Sequence, residues 1–250
     1  MTSLATASPL QSLLCSTLLN VLLAIPLLAG AAGAIAKTFQ LPASYAVQSV
    51  VVLTGLLLAL LPFLPQHRPL QRFGAANAVT LLRAGIAALA AGLIGQAMLA
   101  PGLTWLMTAL AGIALMLDGV DGWLARRSRM QSAFGARFDM EVDAFFILVL
   151  AALVYQMDKA GVWVLLSGAM RYGFIALGCA LPWLRQPLPP RKRRQAVCVF
   201  QTAILALCLS PPLIPPWTTR LTAVALGLLT LSFLVDTVWL ARSHRSGMSR

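Results

Sequence analysis

The chain has 250 residues, of which 59% are hydrophobic and only 10% are charged, and its formal net charge is +12. Several apolar runs reach the roughly 20 residues that a membrane-spanning helix needs, which excludes an ordinary soluble domain. The basic residues lie in short segments between these runs, so the positive charge does not indicate a nucleic-acid-binding face. We therefore predict an all-α, multi-pass integral membrane protein.

The first two apolar runs cover residues 11–35 and 46–65. The first run ends in small residues (AGAAGAIA), as a cleaved signal peptide would. However, no basic residue precedes Lys37, and the run is longer than the apolar core of a signal peptide. We expect both runs to be membrane helices that the protein retains.

Six further apolar runs follow, separated by polar or proline-rich connectors. They cover residues 77–99, 102–125, 136–157, 160–184, 195–210 and 217–241. The sequence thus predicts a bundle of about eight transmembrane helices. The four cysteines lie within apolar runs without metal-ligand spacing, which indicates core or lipid-facing residues.

The basic residues indicate how the bundle is oriented. Eight spans place both termini on one side, and the connectors on that side hold 14 of the 19 lysines and arginines. The opposite side holds only Lys37, Lys159 and Arg220. By the positive-inside rule, both termini are predicted to be cytoplasmic.

Four aspartates lie at the cytoplasmic ends of the fourth and fifth predicted helices. With several small residues they form two stripes at helical spacing: Asp118, Asp121, Gly122 and Ala125 on one helix, and Gly135, Asp139 and Asp143 on the next. Ionisable residues are costly at membrane depth and usually mark a functional site. Two such stripes facing each other would line a cavity with carboxylate oxygens.

Four neighbouring carboxylates in a low-dielectric pocket need a compensating cation. Oxygen ligands without a nearby His or Cys favour a hard ion (Mg²⁺, Mn²⁺ or Ca²⁺) over zinc, and among these we expect Mg²⁺ or Mn²⁺, with two ions bound. Such ions often complete their coordination with substrate phosphates, and Arg126, Arg127 and Arg137 border the same region. A phosphate-containing substrate is therefore predicted.

Eight identities in this region resemble, position for position, the signature of the CDP-alcohol phosphatidyltransferases (class I): Asp118-x2-Asp121-Gly122-x2-Ala125-Arg126-x8-Gly135-x3-Asp139-x3-Asp143. In addition, Asn77, Thr80 and Arg83 resemble the Asn-x2-Thr-x2-Arg element that opens the family's first core helix, although Ala76 replaces the proline that often precedes it. The resemblance implies a six-helix core over residues 70–250 and an addition of two N-terminal transmembrane helices over residues 1–69.

The resemblance also implies the reaction. A CDP-linked lipid, expected to be CDP-diacylglycerol, would give its phosphatidyl group to an alcohol and release CMP. Asp118, Asp121, Asp139 and Asp143 would bind metal, and Asp143 would also accept the proton of the alcohol. The residues implied to contact the nucleotide or its phosphates are Gly122, Ala125, Arg126, Gly135, Asn77, Thr80 and Arg83. A homodimer in the bacterial inner (plasma) membrane, with a cytoplasmic active site, is expected as well.

The sequence leaves the acceptor alcohol open. Arg171 lies in the middle of an apolar run and needs a partner, which is either an aspartate of the cluster or an anionic acceptor. The basic run 191–194 either contacts lipid headgroups or, through Arg194, helps to bind an acceptor phosphate. The excess of cationic groups favours glycerol 3-phosphate, with serine, inositol phosphate, choline and phosphatidylglycerol as alternatives.

Two other functions are compatible with acidic residues in a membrane protein. A membrane prenyltransferase also uses Mg²⁺ and a diphosphate substrate, but its acidic motifs lie on helices that are distant in sequence. An ion transporter would spread carboxylates through the depth of the bilayer, whereas these gather at one side. Both alternatives fit the compact motif less well than phosphatidyl transfer.

Overall fold

The computed structural model describes residues 9–96, 99–186 and 192–248, and these residues form eight α-helices and three short 3₁₀ helices, without a strand. The α-helices are α1 Pro9–Phe39, α2 Ala43–Leu60, α3 Ala75–Ala91, α4 Pro101–Arg127, α5 Ala133–Gln156, α6 Leu166–Ala180, α7 Lys192–Leu209 and α8 Trp217–Met248. The 3₁₀ helices are Leu61–His67, Val162–Leu165 and Pro182–Arg185. The predicted all-α fold of a multi-pass membrane protein is confirmed.

Within the described residues, five helical segments are long and apolar enough to cross a membrane. They are Gln11–Phe39, Ala43–His67, Pro101–Arg127, Val162–Ala180 and Trp217–His244. The other three helices are shorter or more highly charged: α3 has 17 residues, α5 carries several charged residues in its first half, and α7 begins with three basic residues. Eight helices thus exist as predicted, but five of them meet the length and composition of a span.

Some helix boundaries differ from the predicted runs. The run 46–65 changes to a 3₁₀ helix after Leu60, since Pro62 and Pro65 cannot donate backbone hydrogen bonds to an α-helix. The run 77–99 was predicted too long, because α3 ends at Ala91 and Gly95 follows with a positive φ of 87°.

The helices group into two compact units whose boundaries fall inside α4 and α5. The first unit comprises residues 1–103 and 112–143, and the second comprises residues 104–111 and 144–250. In the first unit, α1 packs on α2 and α3, and α2 packs on α3. The Gln48 amide of α2 donates to the carbonyls of Ala91 and Ile94 at 3.3 Å each, which satisfies acceptors at the end of α3.

In the second unit, α7 packs on α8, and buried polar side chains connect the helices. The ammonium group of Lys159 donates to the carbonyls of Leu209 and Ser210 at the end of α7, where cations are favourable. Near the other end of α7, Arg193 donates to Asp236 Oδ1 at 2.6 Å and to the Ser232 carbonyl at 2.9 Å. These contacts fix α7 at both of its ends.

Candidate active site

Helix α3 supplies the floor of the site. Its residues Asn77, Thr80 and Arg83 recur at intervals of three, so they follow one side of the helix, and all three are buried. The remainder of α3 is rich in alanine, which favours helix formation and leaves little side-chain bulk around the arginine. A polar stripe is thereby buried within an otherwise apolar helix.

The guanidinium of Arg83 contacts all four aspartates of the predicted motif. Its Nη1 atom lies 2.6 Å from Asp121 Oδ2 and 2.6 Å from Asp139 Oδ1. Its Nη2 atom lies 2.8 Å from Asp118 Oδ1 and also donates to Asp143 Oδ1. The two predicted stripes therefore meet as one group, which we call the aspartate cluster (Asp118, Asp121, Asp139 and Asp143).

The members of the aspartate cluster differ in exposure. The side chains of Arg83 and Asp121 are 4% and 6% exposed, whereas those of Asp118, Asp143 and Asp139 are 25%, 27% and 39% exposed. The Thr80 hydroxyl donates to Asp121 Oδ2 at 3.2 Å, and so adds a second donor at the buried carboxylate. The cluster thus has a buried floor and a rim of three carboxylates that solvent can reach.

The donor set fits a divalent cation. Asp118, Asp121 and Asp139 each offer an oxygen, and these oxygens lie within 4.8 Å of one another. With every carboxylate ionised, one guanidinium offsets one of four negative charges, which leaves a formal charge of −3. Hard cations such as Mg²⁺ prefer carboxylate oxygens and keep open positions for water or phosphate.

The two glycines of the motif have different surroundings. A Cβ added at Gly122 would meet Arg126 Nη1 at 3.4 Å, an ordinary contact with the end of a flexible side chain. A Cβ added at Gly135 would lie 2.9 Å from Asn77 Oδ1, which is too close. Gly135 therefore allows α5 to approach α3, and its contact with nucleotide or phosphate remains a prediction. Ala125, one turn beyond Asp121, is half-buried.

The arginines that border the motif differ in their contacts. Arg126 is exposed, and Arg127 lies over the Trp123 ring at 5.1 Å. The Arg137 guanidinium lies 3.6 Å from the centre of the Phe63 ring, and its buried Nε has no hydrogen-bond partner. The exposure of Arg126 leaves it accessible to a soluble or headgroup phosphate.

The two residues predicted to bind the acceptor both lie in the second unit. Arg171 is half-buried in α6. Arg194 is 31% exposed, and its Nε lies 3.8 Å from Asp236 Oδ2, while Arg193 contacts the same carboxylate more closely. A role of Arg171 or Arg194 in acceptor binding remains a prediction.

The contact of Arg83 with all four aspartates was not predicted from the sequence, and its predicted contact with the nucleotide or its phosphates remains a prediction. A usable signal was present, because a charged residue in the middle of an apolar helix needs a partner of opposite charge. Arg83 needs such a partner for the same reason as Arg171, because both lie within apolar runs.

A family model described as CDP-alcohol phosphatidyltransferase matches residues 73–240, about two thirds of the chain. The chain belongs to the CDP-alcohol phosphatidyltransferase family. Comparisons with curated proteins and with solved structures gave no significant match. The family match includes Arg83 and the whole aspartate cluster, and it leaves α1, α2 and the 3₁₀ helix Leu61–His67 outside.

As a CDP-alcohol phosphatidyltransferase, the protein is a membrane transferase of phospholipid biosynthesis that moves a phosphatidyl group from a CDP-alcohol to an alcohol. Enzymes of the family use divalent metal ions, and the aspartate cluster has the ligands to hold one. The family assignment disfavours the prenyltransferase and transporter interpretations.

Proposed function

We propose that this CDP-alcohol phosphatidyltransferase transfers the phosphatidyl group of CDP-diacylglycerol to glycerol 3-phosphate and releases CMP at the aspartate cluster. The observation that carries the proposal is the meeting of four carboxylates around the Arg83 guanidinium, with three of them open to solvent. The acceptor hydroxyl oxygen bonds to the phosphorus that carries diacylglycerol. The bond from that phosphorus to the CMP phosphate oxygen breaks, and the hydroxyl proton leaves to a base.

Two divalent cations, Mg²⁺ or Mn²⁺, held by the aspartate cluster would neutralise the diphosphate and make the phosphorus a better electrophile. The formal charge of the aspartate cluster and Arg83 supports the binding of two ions. The formal charge of −3 around Arg83 would become +1 with two dications, which suits an anionic diphosphate donor. Arg83 also holds the carboxylates apart and oriented, so that little reorganisation is needed when the substrate binds.

Asp143 is the proposed general base. Its side chain is 27% exposed, and one of its oxygens accepts from Arg83 Nη2, so a second oxygen is available to the acceptor hydroxyl. A base acts when its oxygen lies within hydrogen-bonding distance of the proton that it removes. Because the base lies beside cations, we expect its position to contribute more than its basicity.

The nucleotide is proposed to lie against the α4 stripe. Gly122 and Ala125 present almost no side chain there, and Arg126 is exposed beside Gly122 with donors free for phosphate oxygens. The contribution of Thr80 is proposed to be indirect, because its hydroxyl already donates to Asp121. Asn77 similarly donates to the Phe73 carbonyl at 2.6 Å and supports the floor.

The proposal also covers the residues that bind the acceptor and the membrane in which the protein lies. Arg171 and Arg194 are proposed to bind the phosphate of glycerol 3-phosphate, in keeping with the strongly basic chain. The bundle would lie in the bacterial inner membrane as a homodimer, with both termini and the aspartate cluster at the cytoplasmic side. Residues 1–69 would be an addition to the six-helix core.

The test is CMP release by the purified full-length protein in lipid nanodiscs. CDP-diacylglycerol is supplied with Mg²⁺ or Mn²⁺ and, in separate reactions, with glycerol 3-phosphate, serine, inositol phosphate, choline or phosphatidylglycerol. We expect metal-dependent CMP release with glycerol 3-phosphate and a loss of at least about 10³-fold in kcat when Asp139→Asn and Asp143→Asn are combined, since metal ligands and base are both removed.

The matched control is Glu141→Gln, which removes one carboxylate from the same helix. Residue 141 is about 200° around the helix from Asp139, so its side chain points away from the stripe. We expect the control to retain kcat within about twofold. Full activity of the Asp139→Asn, Asp143→Asn protein would contradict the proposed site, and release of CMP with another alcohol alone would replace the proposed acceptor.

A further inference from the structure

The start of α5, which carries Asp139 and Asp143, is contacted by residues outside the family match. His67, at the end of the 3₁₀ helix Leu61–His67, is only 1% exposed. Its Nδ1 lies 2.6 Å from Ser132 Oγ, directly before α5 begins, and its Nε2 lies 2.9 Å from the Arg72 carbonyl oxygen. The buried imidazole therefore joins two segments that are far apart in sequence.

The hydrogen bonds of His67 have defined directions. The Arg72 carbonyl can only accept, so Nε2 of His67 carries the hydrogen. In the neutral ring Nδ1 then accepts, and the Ser132 hydroxyl donates to it. The Ser132 oxygen in turn accepts from the backbone N–H of Gly135 at 3.0 Å. One continuous chain of hydrogen bonds thus runs from the first turn of α5 to the segment before α3.

Ser132 therefore acts as the N-cap of α5. The first backbone N–H groups of a helix have no partner within the helix, and a serine oxygen commonly accepts one of them. Here the same oxygen also depends on His67 for its own hydrogen bond, so the histidine fixes the rotamer of the capping serine. The capped residue is Gly135, where a Cβ would lie 2.9 Å from Asn77 Oδ1 of the floor.

Further side-chain contacts join the segment 61–73 to the first two turns of α5. The His67 ring meets the Phe134 ring edge-on at 5.7 Å, and the Phe73 ring lies 6.2 Å from Phe138. Phe63 of the 3₁₀ helix lies under the Arg137 guanidinium. Three residues of the segment 61–73 thus each contact a residue in the first two turns of α5.

We propose that the segment 61–73 positions the start of α5, and through it Asp139 and Asp143, with His67 and Ser132 as positioning residues for phosphatidyl transfer. The inference rests on the proposed function of the aspartate cluster. Asp139 follows Gly135 by one helical turn and Asp143 by two, so a shift or rotation of the first turn moves both carboxylates relative to Arg83. Displacement of catalytic groups by about 1 Å can lower a rate about 100-fold.

The test compares His67→Phe and Ser132→Ala with the parent protein in nanodiscs. The phenylalanine retains the ring that packs on Phe134 and removes both nitrogens, while the alanine removes the capping oxygen. We expect each variant to lower kcat about 10- to 100-fold with less than about a threefold change in the KM for CDP-diacylglycerol, because the carboxylates are displaced while the donor surface on α4 is unchanged.

Non-additivity and rescue separate positioning from a general loss of stability. His67 and Ser132 act through one chain of hydrogen bonds, so the double variant should be no slower than the slower single variant. Ser132→Thr keeps the hydroxyl and should retain kcat within about threefold of the parent. The control Ser49→Ala removes a buried hydroxyl that bonds only within α2, at the Tyr45 carbonyl, and should change neither kcat nor KM.

Hydrogen exchange provides a readout that does not depend on activity. We expect backbone amides of residues 133–143 to exchange at least about tenfold faster in His67→Phe and Ser132→Ala, but not in Ser49→Ala, because the cap of α5 is lost. Unchanged exchange in this segment, or multiplicative losses of kcat in the double variant, would overturn the inference. A parent protein that releases no CMP would instead refute the proposed function, and the exchange result would still decide whether His67 holds α5.

Discussion

We predict that Arg83 contributes more than any other residue of the site to the stability of the metal-free protein. Arg83→Met keeps a long, unbranched side chain and removes the guanidinium that contacts the four carboxylates. The buried partner, Asp121, would then keep only the Thr80 hydroxyl at 3.2 Å. The variant therefore isolates the effect of leaving a buried carboxylate without its cation.

The magnitude follows from the difference in exposure. Removing one partner of a buried ion pair costs about 3–5 kcal/mol, and this value applies to Asp121, whose side chain is 6% exposed. Asp118, Asp139 and Asp143 are 25–39% exposed, so water replaces most of what they lose and each adds roughly 0–1 kcal/mol. Together these contributions come to about 3–8 kcal/mol, which for a chain of this size corresponds to a decrease in Tm of roughly 6–32 °C.

The assay is thermal unfolding of the detergent-solubilised protein in EDTA and in Mn²⁺. In EDTA, Arg83→Met should unfold well below the parent protein. In Mn²⁺ the difference should become smaller, because a bound dication compensates the carboxylates that the guanidinium no longer contacts. Arg126→Met removes an exposed cation beside the same motif and should shift Tm by less than about 2 °C. An unchanged Tm of Arg83→Met in EDTA would refute this account of the cluster.

Three further substitutions test the packing around the site and in the second unit. Gly135→Ala should lower both Tm and kcat, because its Cβ would lie 2.9 Å from Asn77 Oδ1 and push α5 from α3; activity equal to the parent would contradict this close approach. Gly168→Ala should reduce the yield of folded protein, measured by size-exclusion chromatography, because its Cβ would overlap the backbone of Leu148. Lys159→Met should lower Tm by a few degrees through the loss of hydrogen bonds at the end of α7, and it should leave the KM for CDP-diacylglycerol unchanged.

The sequence predicted the chemistry of the site better than its internal arrangement. Periodicity placed the carboxylates of Asp118 and Asp121 on one stripe and those of Asp139 and Asp143 on another, and the structure brings the stripes together. That Arg83 binds all four was not predicted, because the argument for a compensating cation considered metal ions alone. A search for charged residues in the middle of apolar runs would have found it.

The contacts of the segment 61–73 could not be predicted from sequence. His67 and Ser132 are 65 positions apart and belong to no recognisable motif, so only the packed structure brings their side chains together. The end of α3 was also missed, since the apolar run continues beyond Ala91 and the capping amide of Gln48 comes from another helix. Helix type and the glycine after α3 are local features, whereas the contacts of His67, Ser132 and Gln48 were set by tertiary packing.

The central claim is that the aspartate cluster around Arg83 carries metal-dependent phosphatidyl transfer. The most direct measurement is the rate of CMP release from CDP-diacylglycerol and glycerol 3-phosphate by the full-length protein, titrated with Mn²⁺ after treatment with EDTA. We predict no release in EDTA, saturable recovery with Mn²⁺, and no recovery at any Mn²⁺ concentration when Asp139→Asn and Asp143→Asn are combined. Equal rates with and without metal, or full recovery in the doubly substituted protein, would contradict the account.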